Sequence, residues 1–264
     1  MVTVNDILQY MNTLAPASMK MDWDNVGLLC GSRSREVRKI LVALDPFESV
    51  CREAAREGAD LIVTHHPLIF RAPNALTDDT ALGRCVLFLA QNGISAINAH
   101  TNLDCAPGGV NDVLAQKLGL KDIQVINPTG TTEDGQQWGL LRMGTVDAQD
   151  LQIFLSHVKN TLGCQGLRYT DGGKQVCKVA VGGGACAGEM SMALRSGCDT
   201  FVTADVRYNQ FWDAQEAGLN LIDAGHFHTE NPICSVLAQK LQEQFPQIAV
   251  TVSKNHKDCA NFFV

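Results

Sequence analysis

The stretch that most constrains the fold of this chain runs Gly58-Ala-Asp-Leu-Ile-Val-Thr-His65-His66-Pro67-Leu-Ile-Phe70. Leu61, Ile62 and Val63 form an unbroken apolar run after a glycine suited to stop a helix, the pattern of a parallel strand covered on both faces. Such a strand belongs in an open α/β sheet, where ligands collect beyond the carboxyl ends of the strands. Two histidines stand at that end, and imidazole is the commonest side chain for holding a metal. Neighbours on an extended chain point opposite ways, so His65 and His66 are expected to serve two nearby metals more easily than to chelate one. Alone, the pair reads equally well as surface histidines at a strand end.

The flanking segments alternate between helical and strand periodicity. Thr3 or Asn5 can cap a first helix with Val4, Ile7, Leu8, Met11 and Leu14 at helical spacing, closed by Pro16. Residues 21–31, with Trp23, Asp24, Asn25 and two glycines, read as a shaped loop entering a strand. A strand over 39–44, a helix over 46–57 with Val50, Ala54 and Ala55 inward, and a stop at Gly58 lead into the opening stretch. A helix over 82–91 precedes a second strand, Gly93 to Asn98, which again runs to a histidine, His100, with Asp104 four residues on. A helix over 110–118, a polar connection over 126–137, a strand over 139–143 and a helix over 148–162 follow. The change in character near residue 125 predicts two α/β domains, 1–125 and 126–264.

The second half echoes the first. Lys178-Val-Ala-Val leads through three glycines and a small-residue helix to Gly197-Cys-Asp199-Thr-Phe-Val-Thr203, as Lys39-Ile-Leu-Val leads to Gly58-Ala-Asp60-Leu-Ile-Val-Thr64. Gly218-Leu-Asn-Leu-Ile-Asp-Ala-Gly-His226 matches Gly93-Ile-Ser-Ala-Ile-Asn-Ala-His100, and each histidine has an acid four residues later, Glu230 and Asp104. Two ordinary β-α-β units would explain the glycines but not the paired histidine-acid endings, so a degenerate duplication is the preferred account. The polar groups expected at strand ends are therefore His65, His66, His100, Asp104, His226 and Glu230. Two divalent ions about 3.5–4 Å apart need outer imidazoles and a bridging carboxylate, and this set contains both. Nitrogen and oxygen donors without paired thiolates favour Zn, Fe, Mn, Co or Ni over Ca or Mg.

Composition narrows the setting. The ten cysteines are scattered without a Cys-x-x-Cys pair, which indicates neither a zinc ribbon nor a disulfide scaffold. With a net charge of −7 and no dense basic run, nucleic-acid binding is disfavoured. No apolar run approaches the roughly 20 residues of a membrane span, and the first residues lack a signal-peptide pattern, so a cytoplasmic location is expected. Gly182-Gly183-Gly184 lacks the Lys-Ser/Thr of a phosphate-binding P-loop and reads as a tight turn. No Gly-x-Ser-x-Gly elbow argues for a serine hydrolase.

Five motifs in order, Trp23-Asp-Asn-Val-Gly-Leu-Leu, Thr64-His-His-Pro-Leu-Ile-Phe, Ala99-His-Thr-Asn-Leu-Asp104, Gly182-Gly-Gly and Asp223-Ala-Gly-His-Phe-His-Thr-Glu230, resemble the GTP cyclohydrolase 1 type 2 family, also called NIF-three-like. The resemblance spans nearly the whole chain. It implies two α/β domains with a dinuclear metal centre between them, a ring-shaped homohexamer, and metal-dependent hydrolysis of a nucleotide-like small molecule. It further implies that His66 and Asp104 bind one metal, that His65 and His226 bind the other, and that Glu230 bridges. His100 matches a nearby histidine that would orient a ligand or handle a proton. The alternative is a non-enzymatic metal-binding or regulatory ring acting through partners. Two family positions differ, Ala204 for glycine and Asn209 for histidine, which puts a substrate role for 203–209 in doubt. The short 126–177 segment lacks the domain that longer members insert. His228 is expected to be structural, and His157 and His256 incidental.

Overall fold

The computed structural model describes residues 1–263 and divides into two compact units, Met1–Leu103 with Ile233–Lys257, and Asp104–Pro232 with the residues from Asp258 on. In the first unit the helix Val4–Leu14 is capped by Thr3, whose side chain and that of Asp6 satisfy one another's backbone N–H in a capping box, and it buries Val4, Ile7, Leu8 and Met11. Strands β1 (Gly27–Cys30), β2 (Lys39–Ala43), β3 (Leu61–Thr64) and β4 (Ser95–Asn98) follow, with helices Glu48–Glu57 and Ala81–Gln91 between the parallel ones. Gly58, at φ 67°, ends the first of these helices in the left-handed conformation that glycine adopts without steric cost. The apolar runs are buried on both faces, as the sequence requires. Leu41, Ala43 and Ile62 join the cluster with Val50, Ala54 and Leu89, while Ile40, Val42, Leu61 and Val63 alternate to the other side and are equally buried.

The second unit is built on β5 (Lys121–Ile126), a hairpin of β6 (Gly130–Thr131) with β7 (Gln137–Trp138), and then β8 (Leu141–Gln149), β9 (Arg168–Thr170), β10 (Val176–Val181), β11 (Thr200–Thr203) and β12 (Asn220–Asp223). Val179, Val181, Val202 and Ile222 face Phe154 and Val158 of the helix Leu151–Leu162, and Ala180, Phe201 and Leu221 face the opposite cluster. The expected helix over 148–162 thus starts later, because its first residues finish the long strand β8. The expected polar connection contains the short hairpin.

The internal repeat is explicit in the topology. The first sheet has the order β1-β4-β3-β2 and the second contains β9-β12-β11-β10, with the first pair antiparallel and the rest parallel in both. Equivalent residues make equivalent bonds. Asp60 accepts from the backbone N–H groups of Arg38 and Lys39, and Asp199 from those of Cys177 and Lys178. Lys39 and Lys178 each donate to a carbonyl at the end of the helix before the next strand, Glu57 and Ser196.

The division into units differs from a boundary at residue 125. β5 pairs with β8 and so belongs to the second sheet, while the C-terminal strand β13 (Ala249–Val252) returns to pair in parallel with β2. Phe245 seals this return against Tyr10 in an edge-to-face contact at 5.6 Å. No helix among the described residues is long and apolar enough to cross a membrane.

Candidate functional site

In the first unit the site grows from the ends of β2, β3 and β4. The strand stops at Thr64, whose hydroxyl donates to the carbonyl of His66 at 2.7 Å, while the His66 N–H donates to Leu44 at 2.9 Å. The chain bends there instead of staying extended. The two rings consequently lie 4.8 Å apart rather than on opposite faces, and His100, beyond the end of β4, lies 5.2 Å from His65 and 5.4 Å from His66. One ligand-type atom from each of the three falls within 4.8 Å of the others, a group that could hold a metal ion.

Each ring is oriented by an oxygen acceptor on Nδ1. His65, fully buried, faces the carbonyl of Ala99 at 3.0 Å. His66 faces Asp45 Oδ1 at 2.6 Å, and His100 faces Asp24 Oδ1 at 2.8 Å. A carbonyl oxygen can only accept, so Nδ1 of His65 carries the proton and Nε2 the lone pair. The carboxylates select the same tautomer for His66 and His100 when those rings are neutral. Burial opposes ionisation of Asp24, but hydrogen bonds from His100 and Thr101 outweigh it and hold the carboxyl well below the usual range. Asp45 behaves alike, with burial overcome by hydrogen bonds from His256 and His66. A histidine that gives one nitrogen to a carboxylate or carbonyl and presents the other is the arrangement of metal-bound imidazole.

In the second unit the one-turn helix His226–Glu230 puts its first and last side chains on one face, with His226 Nε2 3.1 Å from Glu230 Oε2. His226 Nδ1 lies 2.8 Å from Asp205 Oδ2, which repeats the pattern of the first unit. Asp205 has φ 52°, a left-handed conformation that Asp tolerates better than most residues. It stands where the repeat places His66, so one half has a histidine at this strand end and the other the carboxylate that orients one. Asp104 and Glu230 are buried, and with burial itself they push the Cys186 thiol well above its usual range. Asn111 joins the two acids' surroundings by donating to the Asp104 carbonyl and accepting from Gly183 N–H at 2.7 Å.

The triple-glycine turn is shaped around Glu230. A Cβ on Gly184 would lie 2.0 Å from Glu230 Oε1 and 3.0 Å from His226 Nε2. Its N–H donates to Thr229 Oγ1 and that of Gly183 to Asn111, so these groups are committed to the protein and not to a phosphate. His228 is held by the Leu162 carbonyl and Asp258, and His157 by the Leu118 carbonyl. His256, expected to be incidental, has its Nε2 2.8 Å from Asp45 Oδ2. Asp24, Asp45 and Asp205 are site residues that sequence reasoning missed as such. The available signal was position, since Asp45 and Asp205 each fall two residues past a strand end.

Fold and side chains together define a duplicated α/β protein with carboxylate-oriented histidines and buried acids of the kind that bind metal. The model of the Duf34/NIF3 (NGG1p interacting factor 3) family matches residues 2–259, and the chain belongs to that family. A Clostridium perfringens protein named GTP cyclohydrolase 1 type 2 homolog is 36% identical over 261 residues, covering 98% of this chain and 99% of that one. The crystal structure of a Bacillus cereus protein related to NIF3 has a TM-score of 0.93 at 26% identity, covering 100% and 99% of the two chains. A Staphylococcus aureus hypothetical protein has a TM-score of 0.92 at 29% identity over 99% of each chain.

Proposed function

We propose that the protein binds two divalent metal ions, drawn from Zn, Fe, Mn, Co or Ni, and acts in the cytoplasm as a hydrolase on a nucleotide-like substrate. The observation that carries this reading is the shared orientation of His65, His66, His100 and His226, each with Nδ1 on an oxygen acceptor. The donor set fits the group. Imidazole nitrogens with two buried carboxylates suit borderline transition metals, and a side chain on Gly184 would fill the space beside Glu230. In this reading His65, His66, Asp104, His226 and Glu230 would hold the two ions. When bound, such a pair lowers the pKa of water and polarises the bond under attack.

The chain's own residues supply the rest. Asp24 fixes His100 by Nδ1 and presents Nε2 as the group that accepts or returns a proton. Trp23 and Phe70 are 62% and 44% exposed, and both rings stand edge-on to His100, at 6.2 and 6.1 Å. Exposed aromatic faces beside a proton-handling group suit a planar heteroaromatic ring. Asn25 anchors this frame by donating to Ile69 O at 2.6 Å. The names of the curated relatives point to the same substrate class. We assign the assembly as a homohexameric ring, which native mass spectrometry tests directly. The functional test is turnover of a nucleotide panel by metal-replete protein. Metal-dependent release of product supports the hydrolase, and metal binding without turnover of any nucleotide supports the regulatory reading.

A further inference from the structure

Beyond β13 the described residues form no helix or strand, yet residues 253–256 are held tightly. Ser253 N–H extends the strand pairing by donating to Val42 O at 2.8 Å. Glu53, on the helix Glu48–Glu57 and 1% exposed, accepts from Ser253 Oγ at 2.5 Å, Lys254 N–H at 2.9 Å and Asn255 N–H at 3.3 Å. Ser253 Oγ in turn accepts from His256 N–H at 3.1 Å. This latch delivers His256 to the end of β2, where its ring meets Phe47 edge-on at 6.0 Å and its Nε2 reaches Asp45 Oδ2 at 2.8 Å. The other oxygen of Asp45 holds His66 Nδ1 at 2.6 Å.

We infer that His256 is a positioning residue for the metal site, and that the C-terminal segment is a clasp acting through Asp45 on His66. The inference rests on the reading above in which His66 is a ligand. A carboxylate with both oxygens engaged cannot turn about its Cβ–Cγ bond. Its grip on His66 then fixes both the ring plane and the tautomer that leaves the lone pair on Nε2. Without His256 one oxygen loses its donor, Asp45 gains rotational freedom, and both His66 tautomers become accessible. A purely structural role is already filled by Glu53, which fastens 253–255 without any contribution from the His256 ring. The contact between His256 and Asp45 therefore bears on the site.

The test compares full-length wild type, His256→Ala and His256→Gln, with Ser253→Ala as a variant that loosens the latch but keeps the ring. Metal-stripped protein is titrated with Co(II) against a competing chelator, and the imidazole ¹⁵N signals of His66 are recorded without metal. Wild type should take up about two Co(II) and show His66 protonated at Nδ1. His256→Ala should hold one of the two roughly 10–100-fold more weakly and show mixed His66 tautomers. His256→Gln, whose amide can still donate to Asp45, should recover most of the affinity. If His256→Ala fails to fold, the glutamine variant is compared with His256→Asn, which is too short to reach. Equal Co(II) affinity and unchanged His66 signals in a variant that cannot donate to Asp45 would overturn the clasp alone. Wild type that binds no Co(II) would overturn the metal reading and the clasp with it.

Discussion

Gly184→Ala isolates the geometry on which the metal reading depends. Gly184 has φ +60°, so an alanine there carries the left-handed penalty of about 1–2 kcal/mol. Its Cβ would also stand 2.0 Å from Glu230 Oε1, when non-bonded Cβ contacts essentially never fall below 3.0 Å, so the carboxylate must retreat by about 1 Å. Glu230 can do so, but only by leaving its place beside His226, and disturbing even the groups that orient a metal's ligands costs roughly 10–100-fold in metal affinity. Gly163→Ala is the control. It has φ +71° with nothing within 4 Å of the added carbon, and so has the same backbone penalty without the clash. Both variants should melt a few degrees below wild type, at about 2–4 °C per kcal/mol for chains near this size. Chelator competition followed by elemental analysis should then show metal lost from Gly184→Ala and retained by Gly163→Ala. Equal retention in both would refute the placement of Glu230 as a ligand.

Other perturbations act on separate links. His100→Ala should keep its metal content while hydrolysis falls roughly 10²–10⁴-fold, and an unchanged rate would remove His100 from proton transfer. Asp24→Asn places an amide against His100 Nδ1 and withdraws an acceptor from Thr101, so its rate should fall with that of His100→Ala while metal stays bound. Trp23→Ala should raise the dissociation constant for a nucleotide more than that for inorganic triphosphate; equal changes would argue against ring stacking. Glu53 is held below its usual pKa because hydrogen bonds from Ser253, Lys254 and Asn255 outweigh the opposing effect of burial. The folded pKa is the depressed one, so the latch is at full strength above the unfolded value of about 4.3 and weakens as pH falls through the folded value. Protection of the amides at 253–256, corrected for the intrinsic pH dependence of exchange, should fall as pH drops below the unfolded value, and protection that is constant with pH would contradict this.

The sequence reading found the side chains whose chemistry is visible in their type and order. Paired histidines after an apolar strand, and matching histidine-acid endings in both halves, were legible because strand ends and four-residue spacings are local. The orienting carboxylates were not. Asp24 lies 76 residues from His100, and Asp45 and Asp205 each lie 21 residues from the histidines they hold, so no spacing connects them before the sheets form. The same holds for His256, which reaches Asp45 only because β13 returns across the chain to β2. Local pattern also misplaced the geometry of His65 and His66, since the alternation of an extended strand ends at Thr64, where a side-chain hydrogen bond bends the backbone.

The central claim is that His65, His66, Asp104, His226 and Glu230 hold two ions per chain. Elemental analysis of protein reconstituted with excess metal and freed of unbound ions, with Glu230→Ala treated in parallel, measures it directly. About two divalent ions per wild-type chain and loss of both from Glu230→Ala is the predicted result; a single ion per chain, unaffected by that substitution, would contradict it.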